Sequence, residues 1–442
     1  MKKFLALILA LVMALSLVAC GEQKQPDTQE PENSGNDAEI TYKVAMITDY
    51  GDITDQSFNQ TTYEACKAFA EANGVDFQYF KPAGDNTADR VAMIESAIDQ
   101  GYNVIVMPGY AFGAAIVETA PKFEDVKFIA LDVSAGDLGA DFTVPANLYC
   151  AVYQEELCGY MAGYAAVKLG YKSLGFLGGM AVPAVQRYGY GFVQGVDAAA
   201  AELGLTDVKV NYAYGNQFNG DADITAAMDT WYAGGTEVVF ACGGGIYTSA
   251  VDAAKKVEGA KVIGVDVDQA GVIANYAAGE GADAATVEGY KALTVTSAMK
   301  GLYPATFDTL TDVIVNGNWE KYSGKIDTLG LVSADDPTAN YVQIPMESTQ
   351  WADGAFTQDD YKALVKAMFE GTLTVSNDIE KAPTDFATVI TVEDLGNIKE
   401  VCTYRKNRGC FGSLCFFCAD SGDCRYRYRR LLRKNFALCR RV

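Results

Sequence analysis

Three aspartates, Asp49, Asp132 and Asp266, each close a short apolar run, and Gly109, Gly178 and Gly243 hold comparable places. A carboxylate at such a place accepts hydrogen bonds from hydroxyl or amine groups, ligates a metal or serves as a base. Asn59 offers both donors and an acceptor, and Lys300 a cation able to neutralise neighbouring carboxylates. Phe58 and Tyr188 supply aromatic faces, and the run Gly243, Gly244, Gly245 lets backbone amides come close to a bound molecule. Each position also has a plainer reading. Asp and Gly at strand ends are commonly turn residues, Phe58 and Tyr188 pack as helix aromatics, and Lys300 is a solvated surface lysine. Asp55 and Ser57 suit the N-cap of a helix that follows them. The chain has no histidine, which removes Ser-His and Cys-His catalysis, the usual zinc sites and the commonest general base. The balance moves from enzyme toward binder, and no catalytic residue, metal site or cofactor is assigned.

The elements that must position these residues follow from periodicity. Short runs rich in Val, Ile and Phe predict strands at 43–48, 76–80, 103–107, 126–132, 173–177, 207–213, 237–241 and 262–266. Amphipathic stretches between them predict helices, among them 60–72, 90–100, 153–169 and 245–257. Strand, helix, strand at this spacing is an α/β pattern of parallel sheets with helices on both faces. In such sheets ligands bind outside the carboxyl ends of the strands, where the aspartates and glycines collect. About 360 residues are too many for one doubly wound sheet, so the pattern predicts two α/β lobes with a cleft between them.

Five segments in order carry a family resemblance: Asp49-Tyr-Gly-Asp-Ile-Thr-Asp-Gln-Ser-Phe-Asn59; Phe128-Ile-Ala-Leu-Asp132; Gly178 to Tyr188 with Gly191-Phe192; Ile263-Gly-Val-Asp-Val-Asp-Gln269; and Thr296-Ser-Ala-Met-Lys300. Glu155 to Gly163 adds the form E-x3-G-Y-M-A-G. Over about 42 to 399 the chain resembles the basic membrane lipoprotein family, the purine nucleoside receptor group of type I periplasmic binding proteins. The resemblance implies a two-lobed fold with the N-terminal lobe at 42–152 plus 270–325 and the C-terminal lobe at 153–269 plus 326–399. The Ala- and Gly-rich stretch 270–290 reads as a surface insertion. The implied function is capture of a purine nucleoside, guanosine, inosine or adenosine, for an ABC permease and its ATPase. Phe58 and Tyr188 would sandwich the base, Asn59 and Asp132 would bond its edge, and Asp49, Asp266 and Lys300 would hold the sugar, with Gly243 and Gly244 beside them. A flavin or another ring ligand, or a sensor lipoprotein without a transporter, stands as an alternative. A nucleoside hydrolase would need a metal-binding Asp cluster, which Asp49, Asp55 and Asp132 imitate.

The ends of the chain differ from its body. Lys2 and Lys3, an apolar stretch from Phe4 to Ala19 and the sequence Leu17-Val-Ala-Cys20 read as an export signal, 1–20, closing in a segment that resembles a bacterial lipobox. That implies a lipidated Cys20 and a cell-membrane anchor on the extracytoplasmic face. Residues 21–41 are polar and read as a flexible tether. A net charge of −22 argues against nucleic acid as a partner. Cys66, Cys150, Cys158 and Cys242 read as buried small hydrophobes. Residues 400–442 break the pattern: only Arg90 and Arg187 precede residue 404, whereas arginine and cysteine crowd the tail. Cys415 and Cys418 have the spacing of metal ligands but no second pair. The tail is expected to lie outside the fold, as a disordered or artefactual appendage.

Overall fold

The computed structural model describes residues 41–398. The expected signal with Cys20, nearly all of the tether and the 400–442 tail lie outside the described residues. The first half of the chain lays down β1 (Lys43–Ile47), α1 (Phe58–Asn73), β2 (Asp76–Phe80), α2 (Thr87–Asp99), β3 (Val104–Pro108), α3 (Gly113–Thr119), β4 (Lys127–Leu131), α4 (Ala135–Leu138) and β5 (Leu148–Tyr153). A second series follows: α5 (Glu155–Lys168), β6 (Ser173–Gly178), α6 (Pro183–Glu202), β7 (Lys209–Tyr214), α7 (Ala222–Ala233), β8 (Val238–Cys242), α8 (Tyr247–Ala254), β9 (Lys261–Asp266), α9 (Ala270–Ala278), α10 (Ala284–Lys291) and β10 (Thr294–Lys300). The chain ends in α11 (Leu302–Leu310), β11 (Lys325–Leu329), β12 (Val342–Gln343), α12 (Gln358–Phe369) and β13 (Thr391–Asn397).

Two sheets result, ordered β11-β5-β4-β3-β1-β2 and β12-β10-β9-β8-β6-β7-β13. All pairings are parallel except β10 with β12. The central strands are apolar on both faces, as in Val104–Pro108 and Val238–Cys242, because helices cover both sides. The two sheets repeat one topology, β5-β4-β3-β1-β2 matching β10-β9-β8-β6-β7, so each lobe carries equivalent strand ends. The fold is the two-lobed α/β arrangement expected from the sequence.

The lobe boundaries differ from the expected ones. The return to the first lobe does not occur at 270. Residues 270–290 form α9 and α10 in the second lobe, and β10 pairs with β9 there. The chain recrosses after Lys300: α11 sits on α1, with the Phe307 and Phe69 rings 6.0 Å apart. β11 then pairs with β5 in the first sheet, although residues from 326 onward were expected in the second. β12, α12 and β13 complete the second lobe. Strand patterns reveal apolar faces but not which neighbour will cover them, and pairing decides the boundary. The chain still crosses between lobes three times, at Tyr153–Glu155, Lys300–Leu302 and after Leu329.

Helix α5 explains the glycine signature that begins at Glu155. It is buried along nearly its whole length and packs on α6. A Cβ at Gly159 would lie 2.2 Å from the Tyr188 carbonyl oxygen, and one at Gly163 2.3 Å from that of Phe192. From the other side, Gly191 and Gly195 would each meet a carbonyl oxygen of α5 at 2.1 Å. Four glycines thus bring two helix backbones into contact, which any side chain would prevent.

Candidate ligand-binding site

The carboxyl ends of both sheets face one cavity of about 400 Å³, within the range of small-molecule sites, walled by both lobes. Asp132 and Asp266 stand at comparable places, Asp132 directly after β4 and Asp266 as the last residue of β9. Both adopt left-handed backbone, with φ of 57° and 64°. Aspartate tolerates that conformation better than most residues, and the same outlier at two matching strand ends makes them candidates for a functional role.

Lys300, at the end of β10, lies between them and is buried. Its Nζ stands 2.5 Å from Asp132, 3.6 Å from Asp266 and 3.7 Å from Glu155. The same ammonium lies 4.7 Å from the centre of the Phe58 ring. Burial works to discharge Lys300, but the three carboxylates outweigh it and hold the lysine well above its ordinary value. Asp132 is pushed up to about 6 by burial, with Glu155 and Asp266 adding to the effect and Lys300 opposing it. Glu155 is fully buried and accepts from Arg187 Nε at 2.7 Å. Lys300 is therefore no surface lysine but the counter-ion of an acidic cluster.

The first lobe contributes the loop before α1. Asp49 Oδ1 accepts the N–H groups of Tyr50 and Gly51 at 2.6 and 2.7 Å, and burial raises its carboxyl above the usual range. Asp55 caps α1 by accepting the N–H groups of Ser57, Asn59 and Gln60 at 2.9–3.1 Å. It also holds Asn59 through Nδ2 at 3.1 Å. Ser57, expected as a cap, makes no side-chain cap bond; its Oγ donates across the cleft to Asp266 Oδ2 at 2.6 Å. Asn59 Oδ1 and Asp132 Oδ1 are buried without a hydrogen-bond partner among the described residues.

The aromatics are arranged differently from the sequence expectation. Phe58 is half-buried and lines the cavity. Tyr188 also touches it but is 2% exposed, with its ring plane at 84° to that of Phe240 and its hydroxyl donated to Asp266 Oδ1 at 3.1 Å. Its face is not free. The open aromatic of the second lobe is Phe218, in the loop after β7, opposite Tyr50 with ring centres 6.3 Å apart and planes 34° apart. Phe218 lies on bare backbone: a Cβ at Gly179 or Gly243 would come within 2.4 or 2.7 Å of its ring. Gly243 and Gly244 line the cavity and take left-handed backbone; Gly243 seats the ring, and Gly244 lies against the Phe218 carbonyl oxygen. Tyr50 and Tyr110 also line the cavity, each hydroxyl 3.8 Å from Met180 Sδ of the other lobe. Sequence reasoning missed Phe218 because a loop has no period; the glycines at two adjacent strand ends were the signal.

Chemically, this is a slot between aromatic faces whose polar groups are mostly acceptors, over a buried ammonium already engaged by carboxylates. It suits a flat ligand rich in donors. Among the described residues no cluster of three or more metal-ligating side chains occurs.

Residues 42–334 match the family described as Bmp, ABC transporter substrate-binding protein PnrA-like. The chain is 26% identical over 281 residues to the ABC transporter nucleoside-binding protein BmpA of Lactococcus lactis, covering 61% of this chain and 75% of that one. It is 27% identical over 297 residues to Basic membrane protein B of Borreliella burgdorferi, covering 65% and 78%. An uncharacterised lipoprotein of Pyrococcus horikoshii is 27% identical over 347 residues, covering 75% and 76%. In fold, the chain is similar to an ABC transporter solute-binding protein of Aeropyrum pernix, at TM-score 0.57 and 20% identity over 78% of this chain and 90% of that one. A solute-binding protein of Conexibacter woesei gives TM-score 0.53 and 21% identity over 76% and 99%. With a family match over 42–334, this chain belongs to the basic membrane lipoprotein family of PnrA-like ABC transporter substrate-binding proteins.

Proposed function

We propose that the chain is a lipid-anchored, extracytoplasmic binding protein that takes a purine nucleoside between its lobes and delivers it to an ABC permease and ATPase. The observation that carries the ligand reading is the pair of buried, unpartnered acceptors, Asn59 Oδ1 and Asp132 Oδ1, beside the aromatic faces of Phe58, Tyr50 and Phe218. A nucleoside supplies a flat base, donors on its edge and hydroxyl donors on its sugar. In this reading Asn59 and Asp132 bond the base edge, Asp49, Asp266 and Lys300 hold the ribose, and Phe58 with Phe218 flanks the base. Charge-assisted bonds from ribose hydroxyls to carboxylates are roughly twice as strong as neutral ones. The nucleoside-binding description of the Lactococcus lactis relative supports the same class, and Cys20 supplies the anchor.

Thermal-shift and calorimetric screening of the protein against guanosine, inosine, adenosine, their 5′-monophosphates and riboflavin tests this. A nucleoside at a hundredfold excess over its dissociation constant stabilises by about 2.7 kcal/mol. The monophosphates are expected to bind weakly, because Lys81, Arg187 and Lys300, the cavity's cations, are already paired with carboxylates. Response to riboflavin with none to any nucleoside would replace the reading.

A further inference from the structure

A second set of contacts joins the lobes from behind the cavity wall, bearing on its residues Val265 and Asp266. Gln269, just before α9, is fully buried. Its backbone N–H donates to Ser297 Oγ at 3.1 Å and its Oε1 accepts the Val265 N–H at 3.0 Å. Its Nε2 then donates across the lobe boundary to the Gln56 carbonyl at 3.2 Å. Room for this side chain comes from Gly264, where a Cβ would lie 2.8 Å from Gln269 Cβ. On the other lobe Gln56 is held in left-handed backbone at φ 58°, its N–H donated to Gln60 Oε1 at 3.0 Å. The next residue, buried Ser57, makes the 2.6 Å bond to Asp266. Gln56, Ser57 and Gln269 are all absent from the cavity wall.

We propose that Gln269, with Ser57, is a closure clasp: a pair of positioning residues that set how long the lobes stay together and so how long a ligand is held. The oxygen of the Gln269 amide fixes the turn that presents Asp266, and its nitrogen ties that turn to the first lobe. Ser57 ties Asp266 itself. Both cross-lobe bonds exist only while the lobes are in contact, so they act on release and not on capture. The ligand arm of the test rests on the nucleoside reading; the exchange arm does not.

Two variants of the full-length protein separate the roles. Gln269→Glu keeps an oxygen for the Val265 N–H but sets an acceptor against the Gln56 carbonyl. Ser57→Ala removes the second bond, to Asp266, without substituting any residue of the cavity wall. With guanosine as probe, stopped-flow release rates should rise about two- to tenfold in each variant, the range one lost hydrogen bond gives, while association changes less than twofold. For Gln269→Glu the ratio to wild type should shrink as pH falls, because a protonated glutamate donates to Gln56 again. A purely structural defect would show no such return. In the ligand-free protein, whose lobes open and close, deuterium uptake should rise in segments 55–60 and 265–270 together in each variant, since each change shortens the time the lobes spend in contact and so the protection of both sides. Wild-type release rates in both variants overturn the proposal. If the wild-type protein does not bind guanosine, the nucleoside reading fails with that probe, and the exchange arm alone decides: uptake in 55–60 that ignores Gln269→Glu overturns the clasp.

Discussion

Asp132 gives the site two pH dependences of opposite sign. Its carboxyl is raised from an ordinary 3.8 to about 6, chiefly by burial. The folded chain therefore holds this proton more tightly than the unfolded chain, and the group's contribution to stability is fully present below about pH 4 and lost as pH rises through about 6. Ligand binding runs the other way, because protonation removes an acceptor. Nucleoside affinity should fall about tenfold between pH 7 and pH 5, as the ionised fraction drops from roughly nine-tenths to one-tenth. Calorimetry across that range checks it, and Asp132→Asn should flatten the profile. The aromatics give a second residue-scale test. Phe218→Ala should weaken nucleoside binding about ten- to a hundredfold, the usual worth of a base–aromatic stack. Tyr188→Phe removes only a hydroxyl from Asp266 and should cost a few-fold. A larger loss for Tyr188→Phe than for Phe218→Ala would return the stacking role to Tyr188. The sequence could show that aromatics stood near the cleft, but not that Tyr188, on a packed helix, is buried against Phe240.

Among the elements, β1 to β4 and β6 to β9 were legible and β5 and β10 to β13 were not; apolar runs buried on both faces leave little ambiguity, as in β3 at Val104–Pro108, expected at 103–107. Tyr153, read as a helix start, is the last residue of β5; its apolar neighbours suit either element. The placement of β10 and β11 was not legible, since a strand's partner is set by contacts far away in sequence. The glycine seam between α5 and α6 was visible as a motif and gains its reason only from backbone contact. Gly191→Ala should lower the melting temperature by several degrees, because its Cβ would meet the Glu156 carbonyl oxygen at 2.1 Å. Overpacking of this kind costs about 1–3 kcal/mol, against about 1 kcal/mol of helix propensity gained. Gly289→Ala, exposed on α10 with open space around it, should gain up to about 1 kcal/mol from the same propensity. Calorimetric scans of the two variants should move in opposite directions.

At the scale of the molecule, the two-lobed design was legible from length and alternation, and the cleft from where the aspartates fall. Because the cavity draws on both lobes, a nucleoside bound as proposed would bridge them. Small-angle scattering should show a smaller radius of gyration with saturating nucleoside than without, as for other hinge-closing binders. The 400–442 segment differs from the body in composition, and the first and second sheets take their last strands from residues 325–329 and 391–397. Deleting residues 401–442 should leave nucleoside affinity and melting temperature unchanged; a truncated chain that fails to bind would make the tail part of the working protein.

The position of β11 also bears on how the chain comes to be folded. β1 to β5 are all synthesised by residue 153, yet the strand that covers the β5 edge arrives at Lys325–Leu329, after most of the other lobe has been made. Until then β5 presents unpaired backbone groups along one side, and Tyr149 lacks the Tyr322 ring that finally sits 4.8 Å from it. The first lobe cannot finish as an autonomous unit in the order of translation. Its closure waits on a pairing more than 170 residues distant, a separation that slows folding and prolongs the life of an open edge. The first lobe therefore stays incompletely structured until residue 329 has emerged, and a holding chaperone that shields exposed strands would find its binding segment at Leu148–Tyr153.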